Sequence, residues 1–237
     1  MLCVMTSRLP GSLRSVAVTA LLAACVPFAG QAQTPGRHPV TGRQFAPTMS
    51  VDGASWLERR ERDQEEEPDL GLRLLKVAKG STVGDVGAGS GYMSLRLAKI
   101  VGPQGKVYAV DVQPGMLQLL QQNAAKAKMA NVVPVLGAYD DPKLPAGELD
   151  LIIMVDVYHE FSQPQRMLQR MHEALKPGGR LALFEYRAED PNVPILPLHK
   201  MSKAQVKTEV ELEGFKQTRV FDDLPWQHLI VFTKPGP

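Results

Sequence analysis

From residue 82 onward the chain alternates short apolar runs, each ended by Gly or Asp, with stretches of helical periodicity, and this alternation leaves few folds open. Runs at 82–86, 106–110, 132–136, 149–155 and 180–185 read as strands, and 93–100, 115–129 and 164–176 read as helices between them. A strand, a helix and a second strand close a right-handed crossover, so the repetition predicts an α/β fold with a doubly wound, mostly parallel sheet. The run LDLIIMV at 149–155 is apolar on both faces, as a central strand covered by helices must be. The helix at 164–176 has Ser162 as its expected cap, Pro164 in its first turn and a Pro-Gly-Gly stop. A helix at 202–213 ends at Gly214, and strands near 215–221 and 228–233 predict an antiparallel pair at one edge.

In such a sheet ligands bind beyond the carboxyl ends of the strands, so chemistry is sought just after each one. The first strand runs into Asp85-Val86-Gly87-Ala88-Gly89-Ser90-Gly91-Tyr92. A dinucleotide fingerprint requires glycine where Tyr92 stands, and a carboxylate at the loop mouth would repel a pyrophosphate. A ligand with an ammonium and a sulfonium but no phosphate suits the loop, which describes S-adenosylmethionine. Asp111 ends the second strand twenty residues beyond Gly91, where a carboxylate can accept both ribose hydroxyls. Val112 and Met116 follow, either against an adenine face or as ordinary core.

Asp-Val-Gly-Ala-Gly-Ser-Gly, then VYAVD, DLIIMVD and LKPGGRLALFE, resemble the class I S-adenosylmethionine-dependent methyltransferases over roughly residues 80–232. Within that family the chain is similar to an exported, methyltransferase type 11-like bacterial member. The resemblance implies a Rossmann-like sheet of seven strands with the last antiparallel. It also implies that Asp85, Gly87, Ala88, Gly89 and Gly91 hold the methionine part, Asp111 the ribose, and the segment after the third strand the adenine. Many relatives have Gly-Asp-Ala there, whereas this chain reads Gly137-Ala138-Tyr139-Asp140-Asp141. The adenine-amino contact is therefore assigned to Asp140, with a structural turn at Asp140-Asp141-Pro142 as the alternative.

Methyl transfer is an in-line displacement, so the protein aligns the reactants, excludes water and supplies a base only where the acceptor has a proton to lose. The candidates follow the fourth strand: Asp156-Val157-Tyr158-His159-Glu160. His159 is the candidate base, with Asp156 or Glu160 orienting it or the substrate; Asp156 also borders the cofactor. In the other reading Tyr158 and His159 wall the methionine pocket and Glu160 is solvated. Glu185, Tyr186 and the proline-broken loop at 191–199 are expected to complete the acceptor pocket, with His199 as a loop histidine. No metal is expected, because no two histidines share ligand spacing in the sequence. The segment after the fourth strand looks most like methyltransferases acting on small molecules, including the quinone-biosynthesis type. Arsenic methylation would need cysteine thiolates, and the only cysteines are Cys3 and Cys25. Gly89-Ser90-Gly91-Tyr92 with Val101-Gly102-Pro103 is similar to protein isoaspartate methyltransferases, but their upstream substrate segment has no counterpart. The expected partner is a small-molecule acceptor. A different class of function is a non-catalytic module that binds a nucleoside-like ligand or a protein partner on the same fold.

With 27 Lys+Arg against 25 Asp+Glu and no basic stripe, nucleic-acid binding is not expected. Arg8 and Arg14, an apolar stretch at 16–30 and small residues around Gln31 predict a secretory signal peptide over 1–32 and a periplasmic protein. Leu22-Ala23-Ala24-Cys25 also resembles a lipoprotein box, so membrane association is expected only if Cys25 is lipidated. A start at Met49 would instead leave the body in the cytoplasm. Residues 33–50 read as a linker, 51–79 as a helical lid whose charged 56–67 stretch is solvated, and 80–237 as the catalytic domain.

Overall fold

The computed structural model describes residues 36–236. The leader, Cys25 and the first residues of the expected linker lie outside the described residues. Seven strands form one sheet: β1 (Thr82–Val86), β2 (Lys106–Asp111), β3 (Val132–Leu136), β4 (Leu149–Val155), β5 (Leu175–Tyr186), β6 (Lys216–Phe221) and β7 (Gln227–Thr233). Their order is β3-β2-β1-β4-β5-β7-β6, with β1 to β5 parallel and β7 antiparallel to both β5 and β6. The order reverses between β1 and β4, which opens a crevice at their carboxyl ends. Alternate residues of β4 enter the two apolar layers, Leu151 and Ile153 on one face, Ile152 and Met154 on the other.

Helices α1 (Ala54–Leu57), α2 (Arg62–Glu65) and α3 (Pro68–Leu75) precede the sheet, and α4 (Tyr92–Val101), α5 (Pro114–Ala127), α6 (Pro164–Ala174) and α7 (Lys203–Glu211) follow within it. Proline opens α5 and α6, where its missing N–H costs no helical hydrogen bond. A Ser202/Gln205 capping box opens α7. Ser162 does not cap α6: Gln163 holds the cap position, without a side-chain bond. The helix also ends at Ala174, and the chain passes straight into β5, because Leu175 pairs with Leu149 before the register shifts.

Residues 36–50 are not the structureless linker that their composition suggests. Phe45 and Ala46 are buried, and the Ala46 N–H donates to the His159 carbonyl at 3.0 Å. Arg43 crosses to α7, where its Nε and Nη2 donate to Glu209 at 3.0 and 2.8 Å, and its Nη1 donates to the His159 carbonyl at 3.0 Å. Thr41 Oγ1 donates to the same carboxylate at 2.6 Å. No hydropathy pattern announces a segment whose anchor is one buried ion pair. The 56–67 stretch departs likewise from a solvated face. Arg62 and Glu66 form their i,i+4 pair at 2.7 Å, but both are buried; Arg59 pairs with Glu65 rather than Asp63, which turns to Arg96 and Tyr92.

Burial alone would raise the Glu209 carboxyl, yet hydrogen bonds and charge from Arg43 bring it below the usual carboxylate range. A depressed acid contributes stability that is complete at neutral pH and lost as pH falls through its folded value. Arg43→Met therefore strands a buried charge, and urea unfolding at pH 7 is expected to show a loss of about 3–5 kcal/mol. Adding Glu209→Met should restore most of it. A chain begun at Met49, which lacks both Arg43 and Thr41, should be destabilised by at least as much.

Candidate active site

The crevice holds a cavity of about 340 Å³. Its floor is the turn after β1, where Gly87 and Gly89 adopt φ of +80° and +53°. A Cβ at Gly87 would stand 2.5 Å from the Val157 side chain, and one at Gly89 would stand 2.9 Å from Leu57, so the loop closes only without side chains there. Asp111 locks this loop to the end of β2: Oδ2 accepts from the Gly89 N–H and Oδ1 from the Gln113 N–H, both at 2.9 Å.

Gly87, Gly89, Asp111, Val112, Met116, Asp156, His159 and Glu160, all singled out in the sequence, line this cavity. Ala88 and Gly91 belong to the same turn but do not line it. Asp85 lies beneath, buried, its Oδ2 accepting from Ser94 Oγ at 2.6 Å. Two candidates are elsewhere. Tyr158 is fully buried, its ring packed edge-on to Phe161 and under the Arg43 guanidinium, because the 3-10 turn Tyr158–Glu160 directs it into the core. Asp140 sits at a reversal closed by the Ala138 N–H to Asp141 carbonyl bond at 2.8 Å, and the neighbouring Tyr139 faces the cavity instead. The turn alternative describes this segment.

The N-terminal segment, expected as a linker and a solvated helix or lid, contributes Met49, Trp56, Leu57 and Arg62 to the cavity. The Arg62/Glu66 spacing was a signal, though it was legible only as a surface pair. His199, too, reads in the sequence only as a loop histidine. The turn Pro197–His199 brings His199 Nδ1 to 3.2 Å from His159 Nε2, while His159 Nδ1 meets the buried Glu185 Oε2 at 2.7 Å. Glu185 Oε1 in turn accepts the Tyr158 N–H at 3.1 Å.

Acidic groups crowd this end of the sheet. Burial pushes the Asp85 carboxyl up to about 6 against the opposing pull of Ser94 and Arg62, and pushes Glu160 up to about 7. Burial raises Asp111 as well. Asp156 stands well above the usual range through burial and the nearby Glu66 charge, although Gln227 Nε2 donates to its Oδ2 at 2.7 Å. Carboxyls held this far from their ordinary values in a cleft gain most from a cationic occupant.

Comparison with known proteins agrees with this geometry. Residues 78–227 match a family model described as a methyltransferase domain. A demethylmenaquinone methyltransferase of Listeria monocytogenes serotype 4a is 28% identical over 123 residues, covering 52% of this chain and 51% of that protein. An arsenite methyltransferase of Halobacterium salinarum is 33% identical over 123 residues, covering 49% of this chain and 32% of that one. The match thus spans about half the length of the first of these curated relatives and less of the second. The crystal structure of an S-adenosylmethionine-dependent methyltransferase from Aquifex aeolicus superposes with a TM-score of 0.75 at 27% identity, covering 79% of this chain and all of that one. With more than half of its length matched by the family model, and with the seven-stranded sheet in place, the chain belongs to the class I S-adenosylmethionine-dependent methyltransferase family.

Proposed function

We propose that the protein transfers a methyl group from S-adenosylmethionine to a small, partly apolar acceptor with one ionisable nucleophilic atom. The observation that carries this reading is a single cavity with two chemically different ends, the glycine turn with Asp111 at one and His159, Glu160 and His199 at the other. The fit to the cofactor rests on three features. The turn at Gly87 and Gly89 is a cradle that any Cβ would obstruct. Asp111 keeps lone pairs beyond its two backbone bonds for a pair of hydroxyls. The carboxyls around the turn complement a cation and would repel a phosphate.

Bound there, the cofactor supplies a sulfonium-activated methyl group. Gly87, Gly89 and Asp111 would hold it, with Val112 and Met116 as apolar wall, and Asp85, buried beneath the turn, would add negative charge. Trp56 and Leu57 cover the turn and exclude water. His159, Glu160 and His199 would face the acceptor, where an imidazole or the carboxylate would take up its proton. Leu196 and Tyr139, apolar and largely exposed beside the cavity, suit an acceptor with a hydrophobic body. The quinone-type relative supports that choice. An arsenite acceptor has less support, since residues 26–237 contain no cysteine.

Asp111→Ala should weaken binding of the cofactor and of its demethylated product at least about tenfold by calorimetric titration, since charged hydrogen bonds are worth about 1.5–3 kcal/mol each. An unchanged affinity would overturn the cofactor placement. His159→Gln should lower turnover of an identified acceptor while leaving that affinity intact.

Asp85 imposes a pH dependence. Its carboxyl, raised by burial to about 6, takes up a proton as pH falls through that value, and a cationic ligand favours the ionised form. Affinity for the cofactor should therefore fall as pH drops from 7 to 5, approaching tenfold per unit once one proton must be displaced. Asp85→Asn should bind more weakly at pH 7 and show a flatter profile; a wild-type profile in that variant would exclude Asp85 as the source.

A further inference from the structure

We infer that His159, Glu160 and His199 form a binding site for one divalent transition-metal ion of the zinc class, at the acceptor end of the cavity. The inference rests on the methyl-transfer reading only for what the ion would do, not for its binding. The three residues offer a ring nitrogen each from the histidines and a carboxylate oxygen, and these atoms all lie within 4.8 Å of one another. Two metal–nitrogen bonds of ordinary zinc length meeting at a tetrahedral angle span about 3.3 Å. The distance between His159 Nε2 and His199 Nδ1 is 3.2 Å, with the rings edge to face at 84°.

The surroundings of these residues are built as the support of a metal site is built. Glu185, wholly buried, accepts the Nδ1–H of His159 at 2.7 Å, which fixes the tautomer and directs the Nε2 lone pair towards His199. The backbone of His159 is fixed independently, because its carbonyl accepts from both Ala46 N–H and Arg43 Nη1 at 3.0 Å. On the opposite side, Lys200 Nζ donates to the Asp190 and Val193 carbonyls at 3.1 and 2.6 Å, which holds the loop that carries His199 and turns the ammonium to those carbonyls. Arg43 spends its charge on Glu209.

Two imidazole nitrogens and one carboxylate are a donor set for zinc and its first-row neighbours, and they are too nitrogen-rich for magnesium or calcium. Three protein ligands leave a fourth position open, and all three line the cavity. An acceptor oxygen, nitrogen or sulfur bound there would lose its proton to water at a lower pH than it does in solution. Ligand spacing is not legible along the chain because the two histidines stand forty residues apart and meet only in the crevice.

The test is zinc titration of the full chain, without a histidine tag, followed by calorimetry and by metal analysis after dialysis, with magnesium as the comparison. One zinc per chain is expected, with no comparable magnesium binding. Glu185→Gln should weaken zinc about 10–100-fold, and His199→Ala, at a half-buried loop position, at least as much. Affinity for the demethylated cofactor product should be unchanged in His199→Ala, which reports that the fold and the other end of the cavity are intact. Absence of stoichiometric zinc in the wild type, or full retention in His199→Ala, would overturn the site and leave an N–H···N bond between two imidazoles. Zinc binding without any cofactor binding would uphold the site and overturn the methyl-transfer reading instead.

Discussion

The crowding of acids at one edge of the sheet is the constraint from which the rest of the molecule follows. The ends of β1, β2, β4 and β5, with the turn after β4, bring Asp85, Asp111, Asp156, Glu160 and Glu185 together, and Glu66 from the helical lid approaches the same place. Burial in a medium of low polarity raises the carboxyls of Asp85, Asp111, Asp156 and Glu160, and neighbouring carboxylates add to that rise at Asp85, Asp156 and Glu160. Arg62 stands beside Asp156 at 3.9 Å and is already paired with Glu66 at 2.7 Å, and Arg59, 3.5 Å from the same Glu66, is paired with Glu65. The edge is thus left short of positive charge, which a sulfonium and an ammonium at one end and a metal ion at the other would each supply.

The same constraint explains why the N-terminal residues are part of the domain. Removing Arg62 would leave Asp156 without its cation and Glu66, which also accepts from Tyr186 at 2.8 Å, with only the longer Arg59 contact at 3.5 Å. Arg43 acts one layer away. By satisfying Glu209 and the His159 carbonyl at once, it ties α7 to the turn that carries His159. A segment that reads as linker and lid in composition is, in energetic terms, the source of the counter-charge.

What the sequence made legible was whatever depends on near neighbours. Strand and helix alternation, the two-faced apolar run of β4, the glycine turn and the acid at the end of β2 are each written in residues close together along the chain. What it hid depends on contacts across the sheet. Nothing local distinguishes Tyr158, fully buried, from His159 beside it in the cavity wall, because a single 3-10 turn sends them in different directions. Nothing local joins His159 to His199, or Arg43 to Glu209. Asp140, expected after β3 as a ligand contact, does not line the cavity for a related reason: the reversal at 138–141 puts Tyr139 there.

Asp156 shows how these levels meet in one residue. Its φ of +51° is a conformation that costs most side chains about 1 kcal/mol or more, and aspartate is among the few that tolerate it. The backbone N–H still donates to Phe184 at 2.9 Å, so the strand is held to its neighbour up to the point of reversal. That reversal is what turns the chain out of β4 and into the segment bearing His159 and Glu160. Glycine would adopt it with less strain, but would leave Gln227 Nε2 without its acceptor and Arg62 without one of its two carboxylates. The strained backbone and the buried carboxyl are therefore tolerated together, since the residue that satisfies Gln227 and Arg62 is also the one that can make the turn.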